Sequence, residues 1–409
     1  MKFLFNLILI FGMVKVVAQP SYPITFTHDG KTVFGTFTSP DGSGRFPTVI
    51  IAPGSGANDR DGTLELSGGN VACLYPDLNG ETLKPYKELA EALVDSGFAV
   101  LRYDKLEFTY PTSLGPITFH KLWLPVESAI EYVKTRADVD TNRLILIGHS
   151  EGSSLIPYIA KARTDIKALI SIAGARTPFD SILAHQLVEF ERICDGDTVL
   201  AQSQANQILD YFSNVRTGNC NFLPPLFGVS ACVWEDYFDA TDPVAENYNL
   251  NNLPTLFIGL GLDINVPPAE LVRFENEVTI TDDFWRIPDL NHFMTPNTDP
   301  HVSAILTDTI VYWLRASNLI SGIGKAAKMN ELLRIYPNPF HESVTLSFPE
   351  DLHPVSLSIY NVYGQLMSAH DLAGVKGMAT IDLGFLSSGM YWLELDMDRQ
   401  KLTRRMIKR

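Results

Sequence analysis

The chain has 409 residues, 45% of them hydrophobic, and a formal net charge of −15 from 32 Lys and Arg against 47 Asp and Glu. That length and apolar share can fill a large core and two or three domains, which excludes a disordered chain. The acidic balance argues against polyanionic partners, so no nucleic acid is expected. At the amino end, Met1-Lys2 precedes an apolar stretch over residues 3–14 and then the small residues Val16-Val17-Ala18. About twelve apolar residues fall short of the roughly 20 that span a bilayer as a helix. Residues 1–18 therefore read as a cleaved export signal, and no later segment reads as a transmembrane anchor.

The next informative run is Thr48-Val49-Ile50-Ile51-Ala52, followed by Pro53-Gly54-Ser55-Gly56-Ala57-Asn58-Asp59-Arg60-Asp61-Gly62. It reads as a buried strand leading into a glycine-rich turn. Phosphate binding is one reading of such a turn, but no Lys-Ser/Thr pair follows to complete a P-loop. Leu101-Arg102-Tyr103-Asp104-Lys105 ends the following strand pattern. Leu144-Ile145-Leu146-Ile147 is a third apolar run, and it enters Gly148-His149-Ser150-Glu151-Gly152 with a helix pattern over residues 153–160 behind it. A serine on so tight a turn is held away from the fold, and the crowded backbone explains why both flanks are glycine. The bland alternative is a serine in an ordinary strand-to-helix turn.

Residues 176–251 are longer than one crossover needs. Residues 181–193 and 199–212 carry helical spacing, and Phe222, Leu226, Phe227, Val233, Trp234, Tyr237 and Phe238 add bulky apolar surface. Those aromatics can line a pocket or simply pack the insertion. Then Leu253-Pro254-Thr255-Leu256-Phe257-Ile258 is a strand pattern, with Asp263 four residues past the first loop glycine. Asp263 reads as a catalytic acid or as a helix cap before Pro267-Pro268. His292 follows the strand-like residues 284–287 and precedes a helix pattern over 301–315. His149 and His301 fit a surface role or a supporting role beside the site.

These residues carry a resemblance. From about Tyr22 to Ser317 the chain resembles the α/β-hydrolase family, whose nucleophile elbow matches residues 148–152 and whose triad runs in the order Ser, Asp, His. The G-S-G-x-x-D-R-D loop at residues 54–61 and the R-Y-D-K stretch at 102–105 are similar to a bacterial esterase subgroup, although Leu106-Glu107 stands where that subgroup has Arg-Gly. The resemblance implies an α/β fold with a mostly parallel sheet flanked by helices and a helical cap insertion over the serine. It implies Ser150 as nucleophile, His292 as general base and acid, and Asp263 as orienting carboxylate. The backbone amides of Ser55 and Glu151 would form the oxyanion hole. Asp59, Arg60, Asp104 and Lys105 are expected to form a buried ion-pair network bracing that loop.

The chemistry accounts for the residue types. A serine hydroxyl needs an adjacent base to attack a carbonyl at neutral pH, and imidazole can take the proton and return it. The carboxylate fixes the imidazole tautomer, and backbone N–H groups stabilise the tetrahedral oxyanion. The expected reaction is hydrolysis of a carboxylic ester in a small-molecule or acylated substrate, without metal or cofactor. A peptidase of the same fold and a non-catalytic surface-binding protein are the alternatives.

Four cysteines in an exported chain point to disulfides, since no Cys/His spacing matches a zinc site. Three pairings are possible; Cys220–Cys232 with Cys73–Cys194 is the expected one. Beyond a linker-like stretch at 318–332, strands with turn residues alternate at 346–348, 356–360, 379–383 and 391–395, a small all-β sandwich. Ile335-Tyr336-Pro337-Asn338-Pro339-Phe340, Ile359-Tyr360-Asn361-Val362-Tyr363-Gly364 and Leu386-Ser387-Ser388-Gly389-Met390-Tyr391 mark it, with a basic tail through Lys401, Arg404, Arg405, Lys408 and Arg409. Residues 333–409 resemble the C-terminal sorting domain of the type IX secretion system. That resemblance implies the type IX machinery as a partner and a secreted or cell-surface location for the hydrolase at 19–317. The tail is expected to be a solvated terminal strand.

Overall fold

The computed structural model describes residues 21–41, 43–68, 71–279, 283–317, 334–336, 340–348, 354–361, 365–396 and 401–408. The expected export signal (1–18) and linker (318–332) lie outside them.

Eight strands form the main sheet: β1 Ser21–His28, β2 Lys31–Thr38, β3 Phe46–Ala52, β4 Ala99–Tyr103, β5 Val139–His149, β6 Ile166–Ile172, β7 Thr255–Leu260 and β8 Asp283–Ile287. Their order across the sheet is β1-β2-β4-β3-β5-β6-β7-β8. β1 and β2 form an antiparallel hairpin, β2 runs antiparallel to β4, and all later pairings are parallel. Counting helices of eight or more residues, α1 is Pro85–Asp95, α2 Pro125–Lys134, α3 Glu151–Ala160, α4 Phe179–Ile193, α5 Thr198–Asn214, α6 Ala231–Thr241, α7 Val244–Asn251, α8 Ala269–Glu277 and α9 Ala304–Ala316.

The apolar runs of the central strands are continuous because both sheet faces are covered. Val49 and Ile51 of β3 and Ile145 and Ile147 of β5 pack with Leu89 and Leu93 of α1 and Leu306 and Ile310 of α9. Ile50, Leu144 and Leu146 point the other way, toward Ile130 of α2, Ile156 of α3 and Phe274 of α8. Register then aligns the carboxyl ends. Ala52 pairs with Gly148, Gly148 with Ser171, Ile172 with Ile258 and Ile258 with Trp285. The loops after β3, β5, β7 and β8 all leave from one edge, the place where open α/β sheets hold their ligands.

Between β6 and β7, helices α4 to α7 form the cap insertion. Trp234, Phe238 and Phe212 are buried inside it, whereas Phe222 and Phe227 are exposed. Cys220–Cys232 closes a short loop within the cap, and Cys73–Cys194 ties the end of α4 to the segment after β3. Both pairings match expectation. No helix among the described residues is long and apolar enough to cross a membrane.

The carboxyl-terminal module has two antiparallel sheets. One holds β9 Arg334–Tyr336, β10 Ser343–Ser347 and β13 Met378–Asp382; the other holds β11 Ser356–Asn361, β12 Leu366–Asp371, β14 Gly389–Asp396 and β15 Lys401–Lys408. Their inward residues, among them Phe340, Val344, Leu357, Ile359, Leu393 and Met406, share one core. The basic tail is not simply solvated. It is strand β15, paired along its length with β14. Lys408 is buried, and its ammonium donates to the carbonyls of Leu383 (2.8 Å) and Gly384 (2.7 Å). Those bonds offset the cost of burying the charge.

Candidate active site

Ser150 sits between β5 and α3 with φ 54° and ψ −120°, a conformation that costs energy for any residue but glycine. The turn is held by packing that admits no side chains beside it. A Cβ on Gly152 would lie 2.2 Å from the Ala52 carbonyl oxygen, and one on Gly148 would lie 2.5 Å from the Gly152 backbone. The Ser150 amide donates to the Ile172 carbonyl at 2.9 Å, which anchors the turn to β6. Gly152→Ala should therefore push β3 and its loop away from the elbow, at a cost of about 1–3 kcal/mol. Thermal unfolding checks it, and an unchanged midpoint would show that the turn has room to spare.

Asp263 and His292 are both buried, and the His292 Nδ1–H donates to Asp263 Oδ2 at 2.8 Å. The other carboxylate oxygen accepts from the amides of Asn265 and Val266, each at 2.8 Å. Asp263 is not the helix cap of the alternative reading, since Pro268 precedes α8 and no side chain caps it; the carboxylate instead caps its own loop and holds the histidine. With the Nδ1 proton committed to Asp263, the Nε2 lone pair is left as the proton acceptor. The His292 ring lies 4.8 Å, centroid to centroid, from that of His149, the residue before the serine. Among the described residues Ser150 Oγ makes no hydrogen bond, so the structure joins His292 to Asp263 but shows no bond from either to the serine hydroxyl.

The expected oxyanion donors flank the serine. Glu151 is the first residue of α3, so its amide has no partner within the helix. Ser55 lies on the exposed turn after β3. Ser55, Ser150 and Glu151 together line a cleft that opens to solvent. Its other wall is cap and cap-hinge: Thr177, Phe179, Ile182, Gln186, Tyr237 and Thr241. Of the aromatic residues singled out in the insertion, Tyr237 alone lines this cleft among the described residues. Gln186 also donates to the Asn265 carbonyl at 2.9 Å, which joins α4 to the acid loop.

The expected ion pairs form without Asp59 and with four further residues, Asp61, Arg102, Glu107 and Glu151. Arg60 grips Asp104 through two side-chain bonds (2.9 and 2.6 Å), and its amide donates to the same carboxylate at 2.7 Å. Lys105 pairs with Glu151 at 3.3 Å and with Glu107 at 3.1 Å. Burial works against the Lys105 charge, but the Glu151 and Glu107 carboxylates outweigh it and hold the ammonium above the usual lysine range. Asp59 is not in the network. Its carboxylate accepts from the amides of Asp61 (3.1 Å) and Thr63 (2.7 Å) and caps the turn, while Asp61 pairs with Arg102. An Asx-type turn satisfies a short acidic side chain locally, so the longer reach falls to the neighbour.

Of the two roles read for His149, the structure shows the supporting one beside the site, for it is buried next to His292 and away from the surface. Its Nε2–H donates to the His292 carbonyl at 2.8 Å, so Nδ1 accepts from the Tyr86 hydroxyl at 2.9 Å. The same Tyr86 oxygen accepts from the Gly54 amide at 2.9 Å. A relay thus links the loop after β3 to the histidine loop, and nothing in the spacing of Tyr86 signals it. Burial and the neighbouring His292 ring push the His149 pKa down to about 3 from 6.5. The unfolded chain therefore binds this proton between those values and the folded chain does not. Stability should fall as pH drops from 6.5 toward 3. His149 contributes at most about 1.4 kcal/mol per pH unit. Urea midpoints should show a shallower acid slope for His149→Gln than for the wild type; identical slopes would remove His149 as the cause. His301 is exposed ahead of α9 beside Glu88 (3.1 Å), as a surface residue.

The strand order, the serine turn and the carboxyl-edge loops define an α/β-hydrolase fold. Residues 334–409 match the family described as secretion system C-terminal sorting domain. Residues 126–221, which include the serine turn, match the family described as BAAT / acyl-CoA thioester hydrolase C terminal. The chain is 34% identical over 296 residues to Esterase EstD of Thermotoga maritima, across 68% of this chain, and spans 65% of that protein's length. Among solved structures it is similar to the esterase domain of a Rhodothermus marinus protein, with TM-score 0.46 and 15% identity over 73% of this chain and 98% of that one. Est1E from Butyrivibrio proteoclasticus is similar with TM-score 0.46 and 16% identity over 73% and 99%.

Proposed function

We propose that the protein is an exported serine hydrolase that cleaves carboxylic esters through an acyl-enzyme intermediate. The observation that carries this reading is the buried Asp263–His292 pair, whose imidazole lies 4.8 Å from the ring of His149, the residue before a serine held at positive φ on the elbow. In the proposed cycle Ser150 Oγ attacks the ester carbonyl while His292 Nε2 takes its proton. The amides of Ser55 and Glu151 stabilise the oxyanion, and His292 returns the proton to the departing alkoxide. Water, activated by His292, then attacks the acyl-enzyme, releasing the acid and restoring Ser150. The esterase named above, at 34% identity, supports the ester assignment. A thioester is the second reading, supported by the match over residues 126–221.

Purified mature protein should turn over a p-nitrophenyl ester series faster than aminoacyl-anilides or acyl-CoA thioesters, and a fluorophosphonate should label Ser150 alone. Preference for the anilides would favour a peptidase, and preference for acyl-CoA the thioester reading. Inertness toward all three would favour a surface-binding protein. For delivery, residues 1–18 would direct export, and residues 333–409 would direct passage of the outer membrane to the surface or medium by the type IX route.

A further inference from the structure

Lys105 is buried at the end of β4, and the acyl chemistry above does not use it. Its ammonium donates to the Gly54 carbonyl at 3.1 Å, and the Asn58 side-chain amide donates to the same oxygen at 3.0 Å. The Gly54 C=O and the Ser55 N–H are two ends of one planar amide, and in a trans peptide they point in opposite directions. Two donors on the carbonyl therefore fix the plane and aim the Ser55 N–H away from Lys105; Ser55 itself lines the cleft. A cation on an amide oxygen also draws electron density from the nitrogen and strengthens its N–H as a donor. Lys105 also pairs with Glu107 (3.1 Å) and with the side chain of Glu151 (3.3 Å), the residue whose amide is the second expected donor. Trp123 Nε1 holds the remaining oxygen of that carboxylate at 3.0 Å.

We propose that Lys105 is a positioning residue of the oxyanion hole, one that orients and polarises the Gly54–Ser55 amide and, through Glu151, ties the first donor to the second. This rests on the serine-hydrolase reading. One ammonium then sets both arms of the hole, which explains a charge buried behind the loop with no route to the reacting atoms. A brace for folding alone would affect stability; this arrangement acts on the transition state, because the oxyanion exists only there.

The test uses the mature full chain with p-nitrophenyl acetate and an aryl trifluoromethyl ketone, which forms a tetrahedral adduct on the serine. Lys105→Met combined with Glu151→Gln removes the ammonium without leaving the Glu151 carboxylate buried and unpaired. Circular dichroism establishes that it folds. Expected is a fall in kcat of about 10- to 100-fold with KM within about 2-fold of wild type. Ketone affinity should fall by the same factor as kcat/KM. Asn58→Ala, which keeps the ion pair, should lower both by about 3- to 10-fold, and it decides the matter if the double variant does not fold. A folded variant with wild-type kcat and ketone affinity, or a loss confined to KM, overturns the proposal. Wild-type protein inert toward the ester would instead overturn the function on which it rests.

Discussion

Ser150→Ala should lose nearly all ester turnover, by several powers of ten, while its unfolding midpoint stays close to that of the wild type. The hydroxyl makes no hydrogen bond to the fold among the described residues, so removing it should disturb chemistry and little else. His292→Ala should lose about as much, because members of a triad act as a unit and removing one leaves the others idle. Asp263→Asn should be severe as well. An amide at that position can no longer accept the Nδ1 proton as a carboxylate does, and the imidazole tautomer needed for Nε2 to act as base is lost. It should also weaken the loop, since the Asp263 carboxylate holds the amides of Asn265 and Val266. Steady-state kinetics on the ester, with fluorophosphonate labelling in parallel, measures all three. Normal turnover by Ser150→Ala would remove the nucleophile assignment.

The elements that place these residues were legible because each is a short apolar run ending in a turn. Residues 144–147, 253–258 and 284–287 are covered on both faces or packed at the sheet edge, so hydrophobicity alone marks them. The turn after β5 was legible for a different reason: the neighbouring backbones leave no space for side chains at Gly148 and Gly152. Tyr86 was not legible. It opens α1, and its hydroxyl reaches His149, 63 residues further along the chain, so no local spacing reports the contact. Glu151 did carry a signal beyond its amide. It begins a mostly buried helix, and a carboxylate buried there requires a cation, which Lys105 supplies just past the buried strand β4. Strand β12 was missed because its side chains are mostly exposed or half-buried and show no apolar alternation. The buried end of β15 was missed because a cluster of Lys and Arg reads as solvated until carbonyls are found to receive one of them.

Removing residues 332–409 should leave a folded, active hydrolase that no longer leaves the periplasm. The two parts have separate cores: the hydrolase sheet is closed on both faces by α1, α9, α2, α3 and α8, and the sandwich residues pack among themselves. A cut in the stretch between them therefore takes no strand from the main sheet and no member of the candidate triad, and units of this kind fold alone. Export across the inner membrane should be unaffected, since the proposed signal lies at the other end of the chain. Passage of the outer membrane should fail, because the segment that matches a secretion-system sorting domain is gone. Fractionating a type IX-competent host and assaying ester hydrolysis in each fraction measures both effects at once. Grafting the same residues onto an unrelated periplasmic protein should carry that passenger to the surface or medium. If the module instead bound a polymer or a cell, the truncated enzyme would still reach the medium and only its attachment would weaken. Full activity of the truncated enzyme in the medium would refute the sorting role, and loss of activity inside the periplasm would refute the independence of the two cores.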